Sequence, residues 1–205
     1  MIYCWHWNAS FQTSFTSRLA KLFSSVGGVG KFRNTLSVME FTNEAFSGNF
    51  HFGPFLLKKS VEVFYNSKLS YGIVNLKPIV PGHVLVIPKR VVKRFQELNL
   101  DEVYDLWQSA QLIGGRLEQY YQVDAMTYCI QDGKAAGQTV PHVHIHVIPR
   151  RIGDFERNDQ LYEMLEASSK DSHGSRKWEI DSEQRRERTE EEMEKETKVL
   201  RTLFV

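Results

Sequence analysis

The stretch Gln138-Thr139-Val140-Pro141-His142-Val143-His144-Ile145-His146-Val147-Ile148-Pro149-Arg150, QTVPHVHIHVIPR, places three of the chain's seven histidines within five residues. Side chains two apart on an extended strand share a face, so His142, His144 and His146 point one way while Val143, Ile145 and Val147 point the other. The apolar set can seal a core. The histidines then form a ladder of imidazoles spaced about 7 Å apart, which suits successive contacts along an extended ligand.

Three uses of that ladder compete. A polar sheet face whose histidines bond locally would account for one or two of them, less readily for three in register. A metal site is the second, because neutral imidazole is a common zinc or copper ligand and His-x-His can chelate. Against it, no Cys lies near, and the nearest carboxylates, Asp132 and Asp154, stand outside the strand. The third is nucleophilic catalysis at phosphorus. A neutral imidazole nitrogen attacks at physiological pH if the other ring nitrogen donates to an acceptor that fixes the tautomer. Gly137-Gln138-Thr139 immediately upstream allow close backbone approach and supply amide, hydroxyl and N–H donors without adding charge.

Working outward, Val61, Val63 and Tyr65 alternate with polar neighbours, Asn66-Ser67-Lys68 supplies turn chemistry, and Leu69 to Asn75 resumes the extended pattern, which predicts a hairpin. A third strand, His83 to Ile87, follows Pro81-Gly82 and stops at Pro88. Asn99 with Glu102 three residues on reads as a capping-box variant opening a helix. Val103, Leu106, Trp107, Ala110, Ile113, Leu117 and Tyr120 recur along it at helical spacing and are expected to pack on the sheet. Met126 to Gln131 and the histidine stretch complete five strands, so the fold class is α+β. After Asp159 the chain turns strongly charged, a run expected to form a solvated face. Within it a polar loop near Ser168 to Ser175 precedes a C-terminal helix from about Glu190, where Glu191/Lys195 and Glu194/Lys198 sit four apart; Met193, Leu200, Leu203 and Phe204 are the residues that would dock it on the domain or on a partner.

At 205 residues, 41% hydrophobic and 25% charged, the chain has the composition of a soluble domain with extensions. A formal charge of +1 gives no electrostatic footprint for nucleic acid or an anionic membrane, and neither partner is expected. Cys4 and Cys129 stand far apart, so neither a disulfide framework nor a thiolate zinc site is available. The expected organisation is a basic Ser/Thr-rich leader over 1–49, a domain over 50–159, and a polar loop and helix over 160–205. The first 39 residues carry Arg18, Lys21, Lys31 and Arg33 and no Asp or Glu. That composition fits either a disordered extension, with a cytoplasmic protein, or a mitochondrial or other organelle transit peptide over 1–38. Met39 offers an alternative start. Val26 to Phe32 is not a phosphate loop: Ser25 replaces the first Gly of GxxxxGK[ST], and Phe32 the hydroxyl.

The run His142 to Ile148 matches the HφHφHφφ signature, φ apolar, of the histidine triad superfamily of nucleotide hydrolases and transferases. Gln131-Asp132-Gly133, Ala136 to Val140, Pro149-Arg150, Gly153-Asp154-Phe155 and Asn75 to Val86 together resemble its fragile histidine triad branch, the diadenosine triphosphate hydrolases. The likeness runs from about Phe52 to Asp159 and returns at Leu200 to Phe204.

The resemblance implies the histidine triad fold: a five-stranded antiparallel sheet with a central packing helix and a C-terminal helix, dimerising through sheet and helix. It implies cleavage of diadenosine triphosphate to AMP and ADP through a nucleotidyl-histidine. By position His144 resembles the nucleophile, and His142 and His83 its supporting histidines. His146 is implied to bond the phosphate, Gln131 the α-phosphate and bridging oxygen, Asn75 the ribose, and Gly137, Gln138, Thr139 and Val140 the phosphate-cradling loop. Phe52, Ile73 and Leu85 are candidates for an apolar adenine slot. Mg²⁺ or Mn²⁺ is implied to enter with the substrate, with no metal held by the protein itself. Two departures stand out: Phe55 occupies a position where relatives place a polar residue or His, and Glu62 looks like a one-residue addition in the first strand.

Two rival functions remain. A nucleoside phosphoramidase of the Hint type would use the same nucleophile on a nitrogen leaving group, but that branch keeps a Ser-bearing loop in place of GQTVPH. A nucleotide-binding signalling protein would use the substrate-loaded dimer as its output, with hydrolysis ending the signal.

Overall fold

The computed structural model describes residues 48–170 and 186–205; the expectations for the leader and for the loop beyond Lys170 fall outside the described residues. A short hairpin, β1 (His51–Phe52) and β2 (Phe55–Leu56), opens the domain. It is followed by the helical turn α1 (Lys59–Glu62) and strands β3 (Val63–Asn66), β4 (Ser70–Val74) and β5 (Val84–Pro88). Helix α2 (Leu100–Tyr121), strand β6 (Ala125–Cys129), strand β7 (Ile145–Arg150), helix α3 (Gln160–Lys170) and helix α4 (Glu190–Arg201) complete it. The five long strands form one antiparallel sheet in the order β3-β4-β5-β7-β6.

The first strand begins two residues later than its alternation predicts. Val61 and Glu62 belong to the turn α1, because the Glu62 carboxylate accepts the Lys58 N–H at 2.6 Å and closes a local loop. Glu62 is therefore absorbed before the strand, not within it. All four residues of β3 are buried, so the alternation of Val61, Val63 and Tyr65 does not mark where the strand starts.

Register divides the sheet into two faces. Leu85 pairs with His146 and Ile73, and Ile73 with Val63, which puts these side chains on one face with Tyr71, Ile87 and Ile148. The opposite face carries Val74, Val84, Val86, Ile145 and Val147, which join Leu106, Ala110, Ile113 and Leu117 of α2, Met193 and Leu200 of α4, and Phe204 in the turn that follows α4 in the main core. Leu106, Ile113 and Leu117 are fully buried, worth roughly 1.5–3 kcal/mol each.

Helix α2 begins as expected: Asn99 accepts the Glu102 N–H and Glu102 accepts the Asn99 N–H, both at 2.9 Å. Its apolar stripe is narrower than expected. Trp107 and Tyr120 are exposed, and Val103 lies at the stripe's edge, because the 4-3-4 spacing from Leu106 through Ala110 and Ile113 to Leu117 already fills the sheet contact. The charged stretch after Asp159, read as loop, holds α3. Its Leu161 and Leu165 pack with Ile148, Ile79, Val80 and Phe155, so this helix flanks the histidine face.

Candidate active site

The histidines lie where the chain enters the middle of the sheet. Only His146 is on a regular strand; His142 and His144 precede β7, in an irregular segment held by Val143 N–H to Val92 O at 2.7 Å and by a tight His142 N–H to Val140 O contact. The uniform ladder expected from alternation is thus replaced by three separate environments.

His144 is 4% exposed, and its Nδ1 lies 2.8 Å from the carbonyl oxygen of His142. A carbonyl only accepts, so Nδ1 carries the proton and Nε2 keeps its lone pair. Burial drives its pKa down to about 4, with the His142 carbonyl opposing that shift. Three pH units above that value roughly one ring in a thousand is protonated. Phe52 stands edge-on to this imidazole, the ring centroids 5.1 Å apart.

His142 acts on His144 through its backbone. Its own ring is engaged elsewhere: Nε2–H donates to Arg90 O at 3.0 Å and Nδ1 accepts the Gly53 N–H at 3.1 Å. Burial lowers its pKa as well. The ring thus ties the β1–β2 hairpin to the segment after β5. Arg90 is held in turn by a two-point contact with Glu102, the residue that caps α2.

His83 and His146 form a pair. Ile79 N–H donates to His83 Nδ1 at 3.1 Å, so His83 is protonated on Nε2, which faces His146 Nδ1 at 3.0 Å. With its Nδ1 accepting, neutral His146 carries its proton on Nε2 and presents a donor. The ring centroids of His144 and His146 are 4.9 Å apart, so a lone pair and an N–H donor stand side by side. Asn75 Nδ2 lies 3.2 and 3.5 Å from the two nitrogens of His83, which places it over the ring face and not along either lone pair; its Oδ1 accepts the Lys77 N–H.

Phe52, Ile73 and Leu85 fall in one apolar cluster with Phe50, Leu57, Val63, Tyr71 and Ile87, beside the histidines and on their face of the sheet. Gln131 follows β6 two residues after Cys129, which pairs with His146, and is half-buried. Gly137, Gln138, Thr139 and Val140 form the loop entering the histidine segment. Gln138 spends both ends of its amide on that region, accepting the Gly133 N–H at 2.9 Å and donating to Lys93 O at 3.0 Å. Its side chain therefore shapes the loop, and Thr139 is the exposed member.

The two carboxylates nearest in sequence are committed to guanidinium groups. Asp132 meets Arg94 at two points, and Asp154 meets Arg150 likewise, each partner holding the carboxyl below its usual pKa. Among the described residues no group of three or more His, Cys, Asp or Glu side chains is arranged to hold a metal ion. Burial pushes the Cys129 thiol up to about 11, away from nucleophilic use.

Several working groups escaped the sequence reading: Ile79 N–H, Gly53 N–H and Arg90 O, which have no residue-type signature, and Arg188. Arg188 sits in a charge run read as a solvated face, yet it is mostly buried, donating to Asn75 O and paired with Glu196.

The HIT domain family matches residues 58–153. A bis(5'-adenosyl)-triphosphatase of Dictyostelium discoideum is 49% identical over 154 residues, covering 75% of this chain and 92% of that protein. A bifunctional bis(5'-adenosyl)-triphosphatase/adenylylsulfatase FHIT of Arabidopsis thaliana is 46% identical over 156 residues, covering 76% and 84%. Among solved structures, the Plasmodium falciparum diadenosine triphosphate hydrolase in complex with cyclomarin A superposes with a TM-score of 0.62 at 30% identity, covering 82% of this chain and 91% of that one. The chain belongs to the histidine triad family. Within it, it stands with the fragile histidine triad branch that the motif order resembles.

Proposed function

We infer that the protein is a dinucleoside polyphosphate hydrolase that cleaves diadenosine triphosphate to AMP and ADP. The observation that carries this reading is the 2.8 Å bond from His144 Nδ1–H to His142 O, which leaves Nε2 as a buried, unprotonated nucleophile. Its lone pair attacks the α-phosphorus, the bond to the bridging oxygen breaks, and ADP leaves with the electron pair. Water then attacks the same phosphorus and gives up a proton to solvent, the N–P bond returns its electrons to Nε2, and AMP departs. His146 Nε2–H donates to the phosphoryl oxygens as charge builds, the role that matters most where chemistry is mainly positioning and electrostatics. Gln131 serves the α-phosphate and its bridging oxygen, the Gly137 to Val140 loop cradles the phosphates, Asn75 serves the ribose, and Phe52, Ile73 and Leu85 the adenine. Mg²⁺ or Mn²⁺ arrives on the polyphosphate, whose oxygens suit a hard cation.

The working unit is a homodimer. Strand β6 is one edge of the sheet, and beside it Val103, Tyr104, Trp107, Gln108, Gln111 and Tyr128 line an open apolar groove of about 730 Å³. A second copy, presenting the same edge and helix face, covers such a patch by twofold symmetry. No described helix is long and apolar enough to cross a membrane. The location is cytoplasmic, unless residues 1–38 direct the chain to mitochondria or another organelle; a fluorescent fusion of the leader tests the address, and a purely cytosolic signal removes the transit reading.

The deciding experiment incubates purified protein with diadenosine triphosphate and, separately, adenosine phosphoramidate, comparing wild type with His144→Asn. AMP and ADP from the first substrate, with a loss of roughly 10³-fold or more in the variant, is the expected result. Equal turnover by the variant, or no AMP from either substrate, overturns the enzyme reading; preference for the phosphoramidate moves the protein to the phosphoramidase class.

A further inference from the structure

The loop from Asn75 to Gly82 does more than connect β4 to β5. Its Ile79 N–H selects the His83 tautomer, its Asn75 amide covers the His83 ring, and His83 in turn sets which nitrogen of His146 carries a proton. Whatever holds this loop still therefore controls the polarity of the His146 donor. The loop is gripped at both ends by residues outside the site.

At its start, Arg188 Nη2 donates to Asn75 O, and the Arg188 N–H donates to Leu76 O at 3.0 Å. Lys77 pairs with Glu187 at 3.3 Å. Arg188 Nη1 is paired with Glu196, whose other oxygen accepts the Tyr121 hydroxyl at 3.0 Å. At the loop's far end, Gly82 (φ +79°) lies so close to the same Tyr121 ring that an added Cβ would come within 2.4 Å of it. One network, Arg188–Glu196–Tyr121, thus touches both the residue that covers His83 and the residue that precedes it.

We propose that Arg188 is a positioning residue for the hydrolysis described above: with Glu196 and Tyr121 it fixes the Asn75–Gly82 loop so that His83 stays protonated on Nε2 and His146 presents an N–H to the phosphate. The proposal rests on the hydrolase reading. Without the brace, Ile79 N–H withdraws, His83 can shift its proton to Nδ1, and Nε2 becomes an acceptor. His146 must then donate from Nδ1, and a lone pair replaces the donor that faces the phosphate, which a phosphoryl oxygen repels.

A purely architectural role accounts less well for the residue. Helix α4 is already docked without it, by Thr197 Oγ1 to Val61 O at 2.7 Å, by Arg201 to Val63 O, and by buried Met193, Leu200 and Phe204. Arg188 Nε is buried and has no hydrogen-bond partner among the described residues, a cost that a residue selected for stability alone would avoid.

The test uses the full-length chain with Arg188→Gln and Arg188→Lys, each checked for folding by circular dichroism. Arg188→Gln is expected to lower kcat by on the order of tenfold, a fraction of the 10²–10³ typical for deleting a transition-state donor, with KM changing much less. Arg188→Lys restores part of it, because one ammonium can reach Asn75 O but lacks the planar spread that lets the guanidinium also hold Glu196 from its second nitrogen. In a His83→Ala background the Arg188→Gln change should cost nothing further. Independently of turnover, ¹⁵N spectra of the imidazoles should show His83 and His146 each as a single Nε2–H tautomer in wild type and as exchanging tautomers in Arg188→Gln. Unchanged spectra, an unchanged kcat, or losses that simply add in the double variant overturn the proposal. If wild type fails to turn over diadenosine triphosphate, the hydrolase reading falls, and the spectra still decide the brace.

Discussion

The Nδ1–H of His144 donates to the main-chain oxygen of His142 at 2.8 Å, so the first histidine of the triad prepares the second with its backbone and not with its ring. That bond fixes which nitrogen is free, and burial fixes its charge. Together they separate this imidazole from an ordinary surface histidine, which would be partly protonated near neutrality.

A first consequence appears in the pH dependence of catalysis. Because burial lowers the His144 pKa to about 4, the nucleophile should remain competent well below the ordinary histidine range. The acid limb of kcat/KM is expected near pH 4 to 5, with little loss between pH 7 and 6. A limb at pH 6.5 that disappears when His144 is varied would contradict this.

Stability should follow the same group with a definite sign. Between the unfolded value of about 6.5 and the folded value of about 4, the unfolded chain takes up a proton that native His144 refuses. Wild type should therefore lose stability as pH falls through that window, and the contribution is fully present above it. Urea unfolding of wild type and His144→Asn at pH 7 and pH 5 reads this directly: the pH-dependent loss should be smaller in the variant by close to one proton's worth.

The hairpin over the triad offers a stability test at Gly53. Its φ of +58° favours glycine, and an added Cβ would lie 2.7 Å from Val140 Cγ1. Gly53→Ala is expected to destabilise by about 1–3 kcal/mol through crowding and to weaken the N–H contact to His142 Nδ1. Denaturant midpoints measure the first effect. A raised KM for diadenosine triphosphate measures the second, since Phe52 moves with the hairpin.

What was legible in the sequence depended on whether a residue's chemistry is carried by its own side chain. The valine and isoleucine positions between the histidines, the Asn99–Glu102 cap and the docking residues of α4 act through side-chain type and spacing, and they stand where their pattern puts them. The β3 start differs from its pattern because the alternation of Val61, Val63 and Tyr65 runs across a helical turn into a strand that is buried on both faces. Trp107 and Tyr120 were assigned inward because helical spacing does not say how wide a stripe the sheet can accept. The site followed the same rule. His144 was accessible by position, but the division of labour among His142, His83 and His146 hangs on the N–H of Ile79 and the oxygens of Arg90 and His142, which every residue possesses. Arg188 was hidden for a different reason: its partner Asn75 is 113 residues away, so its charge run looked like solvated surface.

The same outward turn of Trp107 makes the assembly testable. Trp107 is 41% exposed, and with Tyr104, at 69%, and Tyr128, at 37%, it lines the groove at the β6 edge. Aromatic residues left this accessible beside an open sheet edge are what a twofold partner would bury, and their removal should cost association more than folding. In the proposed dimer Trp107→Arg would set like charges against each other across the twofold axis, and the variant is expected to be a monomer, read by sedimentation velocity as half the mass of wild type. Gly114→Ala approaches the surface from beneath: its Cβ would fall within 2.0 Å of Tyr128 Oη, forcing that ring out of place. A weaker dimer in both variants, with the helical signal retained, is the expected pattern. A wild-type chain that sediments as a monomer at all concentrations would instead leave this face to some other partner.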